Sequence, residues 1–200
     1  REFRLDTLGP GLVLNIPRRG NPSRQPEPVD CPPSLFRSFR ETRDWNALVG
    51  VESVSDLNAT VLDGSIGEVI RVSEALHERK LAAIADDIAA RKARLVAVAG
   101  PSSSGKTTTI RRLGMQMKAL GLRPKALSLD DYYRNRSDTP RDEKGELDFE
   151  HIEAIDLDLL NEHLEGLLEG RTVQTPRFSF HQSLRSPERV PMSLAEDEIL

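Results

Sequence analysis

The residues with the clearest chemical content form one run, Gly100-Pro101-Ser102-Ser103-Ser104-Gly105-Lys106-Thr107. Glycines at its first and sixth positions permit backbone conformations that turn N–H groups inward around phosphate oxygens. Ser102, Ser103 and Ser104 are small enough to leave such a cradle open. Lys106 brings a mobile positive charge to β and γ phosphates, and the Thr107 hydroxyl can ligate Mg²⁺, with Thr108 completing the site. A helix starting at Lys106 would point its positive end at the same anion. The chemistry on offer is binding of a nucleoside triphosphate, ATP·Mg²⁺. No Asn-Lys-x-Asp guanine-reading motif occurs in the chain, which disfavours a GTPase.

A second group follows at Ser128-Leu129-Asp130-Asp131-Tyr132-Tyr133. In an open parallel sheet, ligands sit beyond the carboxyl ends of the strands, so a carboxylate here emerges on the same edge as the phosphate loop. Asp130 can accept the proton of an attacking hydroxyl or hold Mg²⁺. It is the preferred candidate, with Asp131 as the alternative base or a loop-capping carboxylate.

Certain elements must place these groups. Leu95-Val96-Ala97-Val98-Ala99 is a short apolar run suited to a buried parallel strand leading into the phosphate loop. A helix is expected from Lys106 to about Leu120, stopped by Gly121, and a second strand over Lys125–Leu129. Residues 130–150 read as polar loop. Leu157, Leu160, Leu164, Leu167 and Leu168 line one face of another helix, capped by Asp156 and ended at Gly170. Val173–Pro176, Phe178–Phe180 and Ile199-Leu200 suggest further strands. Upstream, residues 68–92 read as one long helix, in which His77 is expected to be solvated. Residues 3–16 have strand character broken by Gly9-Pro10-Gly11, and short helices are expected between Leu35 and Val49. Residues 17–33 read as a connector, since seven of the 13 prolines lie within residues 10–33.

Composition narrows the classes. With 38% hydrophobic residues the chain can bury a core, and with 30% charged residues it should be soluble. The balance of 28 basic against 32 acidic residues gives −4, which argues against nucleic acid or an anionic membrane as the main partner. Basic residues at Arg18-Arg19 and at Arg37, Arg40 and Arg43 leave only a local RNA-facing patch to consider. No apolar run approaches the about 18 residues that span a bilayer. The single cysteine, Cys31, cannot pair within the chain and fits a reducing, cytoplasmic setting. A homo-oligomer stays open. The ends, Arg1-Glu2-Phe3 and Glu198-Ile199-Leu200, are expected to be those of a fragment.

The ordered motifs resemble the uridine kinase/phosphoribulokinase family. They are Gly100–Thr108, Ser128–Tyr133, Thr139–Glu143, Asp148–Glu150, Ala154–Leu157 and Pro176–Phe180. The likeness is nearest to long bacterial uridine kinase-like proteins, which carry a threonyl-tRNA-synthetase-like region ahead of the kinase. Residues 3–57 look like the end of that region. The resemblance implies ATP-dependent phosphorylation of a nucleoside 5′-OH, with Asp130 as base and Tyr133 as the aromatic near the acceptor. It places Glu150 at the ribose hydroxyls, Phe178 and Phe180 at the base, and Arg185 as a polar contact. Three departures stand out. Ser179 stands where the long relatives have Asp, and Ser183 where animal-type relatives have a base-reading histidine, to which His181 is not equivalent. The family's next strand, with its Glu-Gly carboxylate, and its arginine-bearing lid are not in the sequence, so weak transfer by the chain as given is expected.

The expected architecture is α/β: a P-loop NTPase-type parallel sheet with flanking helices, incomplete at its C-terminal side. Ahead of it come a small α+β segment and a long linking helix. The expected bounds are 1–66 for the synthetase-like region, 67–93 for the linking helix and 94–200 for the kinase domain. Two rival functions are a nucleotide-binding regulatory module with an RNA-facing N-terminal region, and a sugar-phosphate kinase of phosphoribulokinase type.

Overall fold

A computed structural model describes residues 3–8, 11–16, 33–101 and 103–200. Ser102, Cys31, Arg18-Arg19 and the proline-rich connector lie outside the described residues. The chain divides into two compact units, Arg1–Leu76 and His77–Leu200.

In the first unit, β1 (Arg4–Leu8) and β2 (Gly11–Asn15) form an antiparallel hairpin in which Leu5 faces Leu14. The short helices expected between Leu35 and Val49 are one helix, α1 (Pro33–Leu48). Then comes α2 (Val54–Leu62), whose start is fixed by a reciprocal cap. The Ser53 hydroxyl accepts from Asp56 N, and the Asp56 carboxylate accepts from Ser53 N at 2.8 Å. Helix α3 (Ile66–Arg91) starts in this unit and continues into the second.

The second unit holds the chemistry. Its part of α3 is more than a connector: Leu81, Ala85 and Ile88 pack against Leu113 and Met117 of α4 (Lys106–Ala119) and against Ile199. The i, i+4, i+7 spacing of the α3 residues puts them on one stripe, as burial requires. Downstream come β3 (Arg123–Pro124), α5 (Leu157–Leu168), β4 (Val173–Thr175), β5 (Phe178–Ser179), β6 (Leu184–Arg185), β7 (Val190–Met192) and β8 (Glu198–Ile199). Asp156 caps α5 by accepting from Leu159 N at 3.4 Å, and Gly170 follows it with φ +78°. A second core gathers Leu167, Val173, Leu194 and Leu200. Gly166 belongs to this contact, because a Cβ there would lie 2.9 Å from Val173 Cγ1.

The parallel sheet is short. β3 pairs in parallel with β8, and Lys125 N donates to Ile199 O at 2.7 Å. On the other side of β8, Leu200 N donates to Arg94 O and Val96 N to Leu200 O, the slanted pattern of a parallel pair. The segment ending in β8 therefore lies between Arg94–Val96 and Arg123–Lys125. Strands are not formed over the expected Leu95–Ala99 and Lys125–Leu129: the regular pairing is at Arg123–Pro124, and Val96 and Lys125 carry the adjoining ladder bonds. Leu95 is 44% exposed and Val98 36%, against the expected burial. Glu198 ties the edge together, receiving Lys125 Nζ at 2.7 Å, Arg123 Nη2 at 3.0 Å and Ala195 N at 2.8 Å. The hairpins β4–β7 and β5–β6 are antiparallel. Among the described residues, no helix is long and apolar enough to cross a membrane.

Core position and exposure set the expected cost of truncation. Leu167 is fully buried, so Leu167→Ala should lose about 2–5 kcal/mol in denaturant unfolding. Leu168, one residue on and 39% exposed, should lose far less when changed to Ala. Equal losses at the two positions would contradict the packing described.

Candidate nucleotide and acceptor site

The loop before α4 is shaped for an anion. Gly105, the residue ahead of the helix, has φ +83° and gives the first-turn N–H groups of α4 no side-chain cap. Unsatisfied amides combined with the helix dipole favour a negative ligand there. Ser103 is also left-handed, at φ 59°. Gly100 lies close under the loop: a Cβ there would sit 2.8 Å from Ser104 Oγ, so that hydroxyl would have to turn aside. The Lys106 ammonium closes over the loop, donating to Gly100 O at 2.7 Å and Pro101 O at 2.8 Å. Thr107 and Thr108 are exposed beside it. Amides, an ammonium and hydroxyls make a donor set for phosphate. Among the described residues no cluster of three His, Cys, Asp or Glu could hold a metal. A Mg²⁺ ion fits only as one held largely by phosphate oxygens, with Thr107 and Asp130 as the chain's own contributions.

Topology brings the second group to the same edge. Arg94–Val96 and β3 both run parallel to β8, so the loops leaving them, residues 100–105 and 128–133, emerge on one side of the sheet. A 3-10 turn, Leu129–Tyr132, starts there, with Ser128 Oγ accepting from Asp130 N at 3.3 Å. The two adjacent aspartates part company at this turn. Asp131 accepts from Arg177 Nη1 at 2.8 Å and from Phe178 N at 3.2 Å, which anchors the turn to β5. Asp130 is exposed, and among the described residues its carboxylate has no hydrogen bond or ion pair.

Tyr133, Phe178 and Phe180 come together, joined by Phe149. Ring centroids lie 5.6 Å apart for Tyr133–Phe178, 5.9 Å for Tyr133–Phe180 and 5.1 Å for Phe178–Phe180. Edge-to-face contacts of this kind stabilise the cluster beyond area burial. Phe180 nevertheless remains 61% exposed, so the cluster presents an open aromatic face. Burial first, then the charges of Asp130 and Glu150, push the Tyr133 phenol upward, which places both carboxylates near this ring. Glu150 itself is exposed.

Arg185 departs from its expected place as a polar contact for the acceptor. Its guanidinium is largely buried and donates to Asp156 Oδ2 at 3.0 Å and to Tyr132 O and Tyr133 O at 3.1 Å each. Its Nε is buried without a partner. Arg185 thus holds the turn that carries Asp130 and Tyr133, and Asp156 joins helix cap and arginine in one carboxylate. The Asp156 carboxyl is depressed: burial opposes this, but hydrogen bonds from Arg185 and Leu159 N outweigh it. Tyr132, fully buried, completes the support by bonding His163 Nδ1 at 2.9 Å. Sequence reasoning missed Arg177, Tyr132 and His163. A buried tyrosine and histidine 31 residues apart leave no local signal.

Both tyrosines of the chain therefore titrate late. Burial foremost, with the Asp131 charge, pushes Tyr132 from 10.0 to about 12. A raised phenol stabilises the fold fully below its unfolded pKa and loses that contribution as pH rises, here between 10 and about 12. Native protein at pH 10 should show well under half of its tyrosine absorbance as phenolate, with the remainder appearing as the fold loosens. Half-ionisation at pH 10 in folded protein would be the contrary result.

Comparison with known proteins meets this geometry. Residues 95–199 match the Phosphoribulokinase / Uridine kinase family. Over 94 residues the chain is 37% identical to a uridine kinase of Deinococcus deserti, covering 47% of this chain and 44% of that protein. It is 42% identical over 101 residues to a uridine kinase of Schizosaccharomyces pombe, covering 49% and 22% respectively. A uridine kinase of Halobacterium salinarum is 30% identical over 95 residues, covering 48% and 41%. In each case the chain spans less than half the relative's length. The matched stretch contains the phosphate loop, both aspartates and the aromatic cluster, and the chain belongs to the phosphoribulokinase/uridine kinase family.

Proposed function

We propose that this chain is the ATP-binding part of a P-loop kinase that phosphorylates a small-molecule hydroxyl, the 5′-OH of uridine or cytidine. The observation that carries the reading is the contrast between neighbouring aspartates. Asp131 is tied to Arg177 and Phe178, whereas the exposed Asp130 keeps a free carboxylate beside the aromatic face. A general base must have an unengaged lone pair within reach of the acceptor. The names of the relatives favour a nucleoside over a sugar phosphate, and the open ring faces of Phe178 and Phe180 suit a flat pyrimidine. Residues 3–57 lie outside the family match, and we read them as the end of a threonyl-tRNA-synthetase-like region.

Each residue has a distinct part. The amides of residues 103–107 and the Lys106 ammonium hold the phosphate chain and stabilise charge on the transferred group. Mg²⁺, when bound, neutralises the β and γ oxygens. Tyr133, Phe178 and Phe180 receive the base, and Glu150 accepts hydrogen bonds from ribose hydroxyls. Asp130 takes the proton of the acceptor hydroxyl as that oxygen bonds to the γ-phosphorus and ADP departs with the bridging oxygen. Arg185 and Asp131 act through the turn they hold rather than on the substrate.

Lys106→Ala should abolish tight ATP binding. Asp130→Asn should leave ATP affinity unchanged and lower turnover by about 10²–10⁴, the usual worth of a general base. Calorimetry and coupled ADP release, on the full natural polypeptide, measure the two effects. Unchanged turnover in Asp130→Asn would sink the assignment.

A further inference from the structure

A cleft lies between α3 and α4 that the family match does not account for, because one of its walls precedes residue 95. His77, Lys80 and Ile84 line it from α3, and Thr108 and Arg112 from α4, with Gly105 just ahead of that helix. Each set repeats at the three- and four-residue spacing of one helix face, so the two faces oppose each other along the cleft. Its volume, about 460 Å³, is within the roughly 300–1,000 Å³ of small-molecule sites. Both walls are secured. Leu81 and Ala85 pack into the core with Leu113, and the Glu78 carboxylate receives Arg112 Nε at 2.6 Å and Gln116 Nε2 at 2.7 Å.

We infer that this cleft receives the nucleoside end of the bound triphosphate, so that α3 completes the donor site from outside the family's own domain. The inference rests on the phosphate-loop reading above. Gly105 carries the connection: it belongs to the phosphate loop and also lines the cleft. A ligand with phosphates on the α4 amides can therefore continue directly along the face formed by Thr108 and Arg112. The walls suit a purine nucleoside. Ile84 supplies an apolar surface for a ring, and Thr108, His77 and Lys80 supply polar groups for its edge and the ribose. With Nε and Nη2 held by Glu78, Arg112 offers its planar face, the geometry in which guanidinium stacks on aromatic rings. The acceptor cluster around Tyr133 shares none of these residues, so donor and acceptor have separate places.

Inorganic tripolyphosphate separates the two parts of the claim, because it engages the loop and lacks a nucleoside. Calorimetry with ATP and with tripolyphosphate would be run on the wild type, on Ile84→Trp and on Thr109→Phe, which fill the cleft from opposite walls. Ile84→Val would serve as the conservative control, with melting curves to confirm folding. Wild-type protein should bind ATP at least about tenfold more tightly than tripolyphosphate, and each filling variant should remove most of that preference. Tripolyphosphate affinity should stay within about twofold throughout, below 0.5 kcal/mol by the same relation. Equal wild-type affinities for the two ligands would overturn the inference while leaving the loop reading intact. So would ATP binding that survives both filled clefts, or parallel loss of both ligands in folded variants. Failure of the wild type to bind either ligand would overturn the loop reading, and the inference with it.

Discussion

The short parallel ladder around β8 is the constraint on which the site depends. Ile199 and Leu200 bond on one side to Lys125 and on the other to Arg94 and Val96, so a few backbone bonds fix two segments more than 25 residues apart in sequence on either side of one strand. Their parallel sense means that both segments head the same way on leaving the ladder, one toward the phosphate loop and the other toward the Asp130 turn. Glu198, buried and bonded to Lys125, Arg123 and Ala195 N, is the electrostatic clamp on this arrangement. Without the clamp, three ladder residues would be a weak determinant of register.

A second constraint acts one level further out. The turn bearing Asp130 and Tyr133 has little regular structure of its own, so its shape is set by what grips it. Asp131 reaches to Arg177, and Arg185 takes two main-chain carbonyls of the turn and the Asp156 carboxylate at the start of α5. Tyr132 is sunk against His163 of the same helix. Three buried or paired groups thereby leave one aspartate free. Among the described residues, the supports carry these hydrogen bonds and the Asp130 carboxylate carries none.

Much of the site could be read from the sequence because its signals are local. The phosphate loop is contiguous, Asp156 and Gly170 mark the ends of α5, and Gly121 follows α4 with φ +81°. The aromatic cluster was legible through family motifs rather than through spacing, since Phe149 and Phe178 meet Tyr133 only in the folded chain. What escaped was long-range. The resemblance makes Arg185 a polar contact for the acceptor, and nothing local signals its bond to a half-buried carboxylate 29 positions earlier. The run Leu95–Ala99 reads as an extended, apolar strand, but no strand forms there beyond the single ladder bond of Val96, and Val98 remains partly exposed. The long helix was legible from its periodicity, whereas the packing of its second half against α4 was not.

The central claim is that the phosphate loop and Asp130 serve one transfer between a triphosphate and a nucleoside hydroxyl. The most direct measurement follows γ-labelled ATP with a panel of nucleosides and ribulose 5-phosphate, quantifying ADP and labelled product together on the full natural polypeptide. The account expects ADP to form one for one with a 5′-monophosphate of uridine or cytidine. ADP formed without a phosphorylated nucleoside, or label passing only to the sugar phosphate, would contradict it.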